Sequence, residues 1–337
     1  MRVVLYASVS DLVLFKRVGF YRDDVNALRC AGHDVCVTNS IVVAITKNHD
    51  LFVGYFYSWS IVAAIFCRLL GRHVVLTGGA DQVSPRLGSG LALGIRRGAA
   101  FLGLLSADKI LLPCKDDVDN FRSMCLGVNF LQQKIVLSPH VVIPAAASAN
   151  FERHEPRGFR AFTLCWLGTE GNVRRKGVDR AIKLIFLLRQ IGVDATLDIA
   201  GTDGPGRSLV DRLVSEFGLS KVVQYVGAIS EQEKNRKYME PGVYLQLSEH
   251  EGFGVAAAEA FFSSMIVVHS NRGGLADVIG QKGLILNLEI IDSSDVIRIR
   301  AFYEQFLYYT VDREYLISEL PKYSLERRAS DLIGNMH

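Results

Sequence analysis

The first 151 residues contain no glutamate, and Glu152 is the first in the chain. Residues 1–150 hold 15 Lys and Arg against 10 Asp, a net charge of +5, and the remainder holds 23 basic and 25 acidic residues, a net charge of −2. A mildly basic half suits an anionic partner, either a membrane face or a phosphate-bearing substrate. It is too weak for a nucleic-acid footprint, and no recognition motif for nucleic acid accompanies it. Among the six cysteines none forms a CxxC pair and no zinc spacing occurs, so reduced thiols in a cytoplasmic protein are expected, with no metal site. Low-complexity tracts and internal repeats are absent, which excludes solenoids and disordered arrays. The start, Met1 to Ala7, is soon interrupted by Ser8, Ser10 and Asp11 and reads as a first strand, not a signal peptide. Leu51 to Cys67 is a run of 17 residues without a charge, at the lower edge of a membrane span. Gly54, Ser58 and Ser60 punctuate it, so we read a buried strand, Leu51–Tyr55, and a buried helix, Ser58–Leu70.

What is present is strand–helix alternation, twice over. Val3–Ala7, Asp34–Thr38, Leu51–Tyr55, His73–Thr77, Lys109–Leu112 and Lys134–Leu137 read as strands, with helical periodicity at Tyr21–Cys30 and Asp116–Met124. Pro139 to Gly158, with Pro139, Pro144 and Pro156, reads as a linker. The alternation restarts with strands at Thr163–Leu167, Thr196–Ala200, Val222–Val226 and Val243–Leu247 and an amphipathic helix at Gly177–Leu188. Such alternation implies parallel sheets covered by helices. The expected architecture is α/β, with doubly wound domains at 1–150 and 151–337, the last helices able to pack back on the first domain. Ligands bind such folds at the carboxyl ends of the strands.

The strongest local signal runs from Ser248 to Ala260, SEHEGFGVAAAEA. It follows an apolar strand and opens a helix. Gly252 and Gly254 allow close backbone approach, and a helix start offers N–H groups and positive potential to a phosphate. Glu251 and Glu259 stand eight positions apart, ~12 Å in a continuous helix at ~1.5 Å per residue. That spacing suits gripping two hydroxyl-bearing parts of one extended ligand. Glu259 lies among Ala256, Ala257, Ala258, Ala260, Phe261 and Phe262, so a buried carboxylate there needs a partner. Without a ligand, the same spacing would describe an inert loop Glu and a solvated helix Glu.

This segment resembles the E-x7-E motif of retaining GT-B glycosyltransferases, especially family GT4. Other pieces match in order: Trp166-Leu167-Gly168; Arg175-Lys176-Gly177-Val178-Asp179; Leu197 to Gly201; Val223 to Ala228 with Ser230-Glu231; and Gly273-Gly274-Leu275-Ala276-Asp277. Together they cover residues 162–285. The resemblance implies two Rossmann-like domains facing a cleft and a nucleotide diphosphate sugar, UDP- or GDP-linked, as donor. It implies that Glu259 accepts from ribose hydroxyls, that Glu251 faces the donor sugar, and that Phe253, Gly254 and Val255 contact sugar and diphosphate. Gly168, Gly227 and Ala228 would line the nucleotide side, and His250 the cleft. Lys176 would neutralise the departing diphosphate, a role with its own physical case: a fixed cation helps a transition state that develops negative charge. Thr169 stands where the family has Arg, leaving Arg174 or Arg175 as its replacement. Ser264, Ile266 and Asp277 also depart from the pattern. The family's chemistry is expected to run without metal or organic cofactor.

The first half matches less closely. Gly78-Gly79-Ala80-Asp81 places two glycines and an acid after a strand. Either Asp81 orients a substrate while Gly78 and Gly79 admit the diphosphate, or the segment is a tight turn with a capping Asp. The expected acceptor is a glycan or lipid-linked glycan of surface polysaccharide or lipopolysaccharide assembly. Leu91 to Leu105, with Arg96 and Arg97, is expected either to rest peripherally on the inner membrane face or to be an ordinary core helix. A GT-B sugar-nucleotide epimerase and a non-catalytic nucleotide-sugar or glycan-binding relative are the rival readings.

Overall fold

The computed structural model describes residues 1–79, 90–125, 128–145, 158–240, 242–288, 293–306 and 313–334. The chain forms two compact units, Met1–Val141 with Pro321–His337, and Val142–Leu320. The division therefore falls nearer the last strand of the first sheet than residue 150, and the chain from Pro321 belongs to the first unit. The cause is burial: Arg328, Ala329 and Leu332 of the Leu325–Ile333 helix are closed within that unit.

The first unit carries six strands: β1 (Arg2–Tyr6), β2 (Asp34–Thr38), β3 (Leu51–Tyr55), β4 (His73–Thr77), β5 (Lys109–Leu112) and β6 (Ile135–Leu137). They pair in parallel in the order β2-β1-β3-β4-β5-β6. Alternation along each strand feeds two cores. Val4, Tyr6, Phe52, Val74, Leu76 and Ile110 face one side, and Val3, Leu5, Leu51, Val53, Val75 and Leu111 the other, where Leu332 joins them. A sheet covered on both faces needs such near-continuous apolar strands. The helix after β3, Trp59–Leu69, is buried on one face only: Ile61, Ala63, Ala64 and Cys67 are inside, and Trp59, Phe66 and Leu69 face solvent. The sequence predicts a helix buried throughout, and the structure buries one face. Up to Cys67 the helix is uncharged on both faces, and hydropathy alone does not separate them.

The second unit carries β7 (Phe159–Leu164), β8 (Ala195–Ala200), β9 (Val223–Gly227), β10 (Val243–Gln246), β11 (Ile266–His269) and β12 (Leu284–Ile285). All pair in parallel in the order β12-β11-β10-β7-β8-β9. Numbered from β7, this is the 3-2-1-4-5-6 Rossmann order, with its switch point between β7 and β10. Strand β7 starts four residues before the expected Thr163, where Phe159 already pairs with Ala195 of β8, and Trp166 and Leu167 belong to the loop leaving the sheet. A helix that the sequence reading did not delimit, Glu170–Lys176, follows that loop.

Candidate functional site

Polar side chains collect where β10 leaves the second sheet. Gln246, Ser248 and the half-buried Glu251 follow the apolar Val243 and Leu245. Lys176 closes the group. Its Nζ lies 2.6 Å from Glu251 Oε1 and 2.7 Å from Oε2. Ser248 Oγ stands 3.0 Å from Glu251 Oε2, positioned to donate, and itself accepts from Gln246 Nε2 at 2.7 Å. The Tyr244 hydroxyl donates to Gln246 Oε1 at 3.2 Å. A chain of hydrogen bonds thus runs from the strand interior to the Lys176–Glu251 pair and fixes the carboxylate.

Backbone packing brings Lys176 to this place. The Glu170–Lys176 helix ends on Gly177, whose φ is +74°. A Cβ on Gly177 would strike the carbonyl of Leu247 just past β10, so only glycine permits the approach. Glu249 N–H then donates to the Arg175 carbonyl at 2.8 Å, which satisfies one of the exposed carbonyls at that helix end. Lys176 sits in the last turn of one helix, with Arg174 and Arg175, and not at the start of the next. Its charge therefore agrees with the dipole of its own helix, and Glu251 is the neighbouring anion.

The loop after β10 rests on the Gly273-Gly274 loop. Gly274 N–H donates to the Glu251 carbonyl at 2.8 Å, and a Cβ on Gly273 would strike that carbonyl. Gly254, at φ +83°, then starts the Val255–Phe262 helix with no side-chain cap and no acid in its first turn. Its first N–H groups are left for other partners, the arrangement that favours an anion. Phe253 and His250 are buried, and Val255 is half-buried at the helix start. On the β7 side, burial pushes the Cys165 thiol up to about 11, with the charges of Lys176, Glu251 and Arg175 acting on it. It stays protonated and is no nucleophile.

Glu259 is buried, and it has a partner that the sequence reading missed. Lys234 Nζ lies 2.8 Å from Glu259 Oε2 and 3.0 Å from Glu231 Oε2. The two carboxylates of the motif are thus each held by a lysine, Glu251 by Lys176 and Glu259 by Lys234. Arg174 is exposed and lies 3.8 Å from Asp179, while Arg175 is half-buried. Gly168, Gly227 and Ala228 follow β7 and β9 at the same carboxyl edge; Gly168 is buried and Ala228 exposed. In the first unit, Gly78 ends β4 with φ +121°, and its carbonyl accepts from the Tyr57 hydroxyl at 3.4 Å. Gly79 is half-buried beside it, and Asp81 lies outside the described residues.

Residues 171–307 match the family model for glycosyl transferases group 1. Over 155 residues the chain is 30% identical to 2-deoxystreptamine glucosyltransferase of Streptomyces kanamyceticus, covering 44% of this chain and 40% of that protein. The chain spans less than half the length of the curated relatives it matches. Sucrose-phosphate synthase from Thermosynechococcus elongatus has a similar fold, with a TM-score of 0.73 at 15% identity over 98% of this chain and 97% of that one. Anabaena Alr3699/HepE, solved with UDP and glucose, gives a TM-score of 0.70 at 15% identity over 99% and 98%. The group 1 match covers residues 171–307, and the likeness to these structures along the chain shows the GT-B fold.

Proposed function

We propose that this chain transfers a hexose-type sugar, with retention of configuration, from a UDP- or GDP-linked donor to a glycan or lipid-linked glycan. The Lys176–Glu251 pair at the Rossmann switch point, beside the uncapped Val255–Phe262 helix, carries the reading. When the bond from the anomeric carbon to the diphosphate breaks, the oxygen keeps the electron pair. Lys176 and the first N–H groups of that helix meet the new charge. Glu251, held by Lys176 and Ser248, accepts from the donor sugar's hydroxyls. Arg175 takes the place of the missing arginine at Thr169: it is half-buried, whereas Arg174 is exposed and turns to Asp179. Asp81 would orient the acceptor or donor sugar, and Gly78 and Gly79 would admit the diphosphate.

The proposed chemistry needs no metal, because fixed protein charges meet the diphosphate. Turnover that survives a chelator agrees with it, and turnover abolished by a chelator and restored by Mg²⁺ removes it. For the main reading, UDP- and GDP-sugars are screened for stabilisation against heat. A true donor at 100 times its dissociation constant adds about 2.7 kcal/mol. No shift with any of them, and no turnover with a glycan acceptor, sinks the reading.

Peripheral membrane contact is also proposed. The Gly90–Ser106 and Trp59–Leu69 helices contain no acidic residue. They expose Leu91 (83%) and Leu69 (77%), together with Ile95 and Trp59, and Arg96 is exposed among them. Apolar side chains with basic neighbours suit an anionic lipid surface. Among the described residues no helix is long and apolar enough to cross a membrane. Removing the charges of Arg96 and Arg97 is expected to weaken binding to anionic liposomes, and wild-type binding by that variant dismisses the contact.

A further inference from the structure

The second sheet has a polar face that its fold does not require. Along β7, β8 and β9, Phe159, Ala161, Leu197, Ile199 and Val223 turn to the main core. Arg160, Thr196, Asp198 and Gln224 alternate with them and turn to the opposite face. Parallel strands covered on both faces are near-continuously apolar, as those of the first sheet are. The Glu231–Met239 helix reaches the polar face through Lys237, which donates to Asp198 at 2.8 Å. Beside the end of that helix lies a cavity of about 300 Å³, within the size range of small-molecule sites. Arg160 and Thr196 are the second residues of β7 and β8, while Lys221 and Val222 lead into β9, Gly242 into β10 and Met265 into β11. The cavity therefore lies at the amino ends of the strands, and Glu251 follows a carboxyl end. Arg160 alone stands ~13 Å before the carboxyl end of β7, at ~3.3 Å per residue.

The lining specifies a ligand. Arg160, Lys221 and Lys237 outnumber Asp198 and Glu240 by one charge. Both carboxylates are engaged: Lys237 lies 2.8 Å from Asp198 and 3.3 Å from Glu240, and Arg236 2.6 Å from Glu240. Lys221 is exposed and meets no carboxylate among the described residues. Cationic donors of this kind favour an anion. Thr196 and Gln224 add a hydroxyl and an amide, and Phe162 and Met265, 3% and 4% exposed, add apolar surface. Such a mixture matches a hydroxylated ring that carries one anionic group.

We propose that this cavity is a second ligand site, for a sugar ring carrying one phosphate or carboxylate. Arg160 and Lys221 hold the anion, and Thr196 and Gln224 meet the ring hydroxyls. The ligand is either a free sugar phosphate or sugar acid, or an anionic residue of a glycan. Because the cavity lies away from the Glu251 edge, the inference does not depend on the donor reading.

Calorimetric titration with the 1- and 6-phosphates of glucose, galactose and mannose, and with glucuronate and galacturonate, tests it. The parent hexoses and inorganic phosphate are run alongside. At least one anionic sugar is expected to bind about 10-fold or more tightly than its parent hexose and than inorganic phosphate, as hydrogen bonds to charged groups allow. In the double variant Arg160→Gln, Lys221→Gln, which changes two exposed side chains, that affinity falls about 10-fold or more. In Lys176→Met it keeps the wild-type value. Wild-type affinity in the folded double variant overturns the site. So does loss of binding in Lys176→Met, which would put the anion at the Glu251 edge. A wild type that binds none of these sugars, or binds inorganic phosphate as tightly, overturns it too. An oligosaccharide ending in the same anionic sugar separates the two sources: binding tighter than the free sugar assigns the cavity to a glycan residue, and weaker binding assigns it to the free compound. Nucleotide-sugar turnover, measured separately, decides the donor reading.

Discussion

Two ion pairs, one in each unit, look alike and differ in how completely they are satisfied. In the first unit Arg328 uses all five donors: Nε and Nη2 to Asp24 at 2.7 and 2.8 Å, Nη1 to the Ser138 hydroxyl and carbonyl at 2.7 and 3.2 Å, and Nη2 again to Thr77 Oγ1 at 2.9 Å. Tyr55 adds a donor to Asp24 at 2.9 Å. Both charged side chains are 1% exposed. In the second unit Lys176 and Glu251 are 26% and 12% exposed. The first pair has nothing left to offer a ligand. It pins the returning Leu325–Ile333 helix to the end of β4. The second pair keeps a cation within reach of solvent beside a helix start, which is what a binding site requires.

The largest effect expected from this contrast is on stability. Arg328→Met leaves Asp24 buried without its cation and is expected to cost about 3–5 kcal/mol, read from the midpoint of denaturant unfolding. Adding Asp24→Leu is expected to recover much of the loss, since an apolar replacement removes both charges. An unchanged midpoint in the single variant breaks the structural half of the comparison. Next in size is Gly177→Ala, which forces an αL residue into the Leu247 carbonyl. A loss of about 1–3 kcal/mol is expected, with turnover falling further than stability explains because Lys176 is displaced. Equal activity in a folded Gly177→Ala separates Lys176 from the chemistry.

Acid acts on a separate set of buried groups. Burial, helped by Arg328, lowers His140 to about 3, and burial lowers His269 to about 4. The unfolded chain binds protons on these rings near 6.5 and the folded chain does not. Stability is therefore full above pH 6.5 and is lost as pH falls toward about 4. Removing the Arg328 cation is expected to raise the His140 value, a shift that a titration by NMR reads directly. A stability profile flat from pH 7 to 5 contradicts the assignment.

Much of this was legible in the sequence. Apolar runs at Asp34–Thr38, Leu51–Tyr55, His73–Thr77 and Lys109–Leu112 are strands with the bounds expected, because buried parallel strands have few alternatives. The Glu251 loop was legible because its glycines, strand and helix coincide. Arg328 and Lys234 were not. Both are charged residues placed where helix periodicity asks for an apolar one: Arg328 shares a stripe with Leu325, Ala329 and Leu332, and Lys234 with Tyr238. Reading charge as exposure hides such residues. A lone cation on an apolar stripe is better read as a request for a buried acid, and Asp24 and Glu259 answer it here. The pairing of Glu251 with Lys176 was hidden for another reason: 75 residues separate them, and contacts such as Gly177 against Leu247 and Glu249 N–H to the Arg175 carbonyl join their loops.

The most direct measurement is the turnover of a nucleotide sugar by Lys176→Met beside wild type, with thermal unfolding run on both. If Lys176 meets the charge of the departing diphosphate, kcat falls by about 10²–10³-fold while the melting temperature stays near that of wild type. A folded Lys176→Met that turns over as fast as wild type contradicts the account.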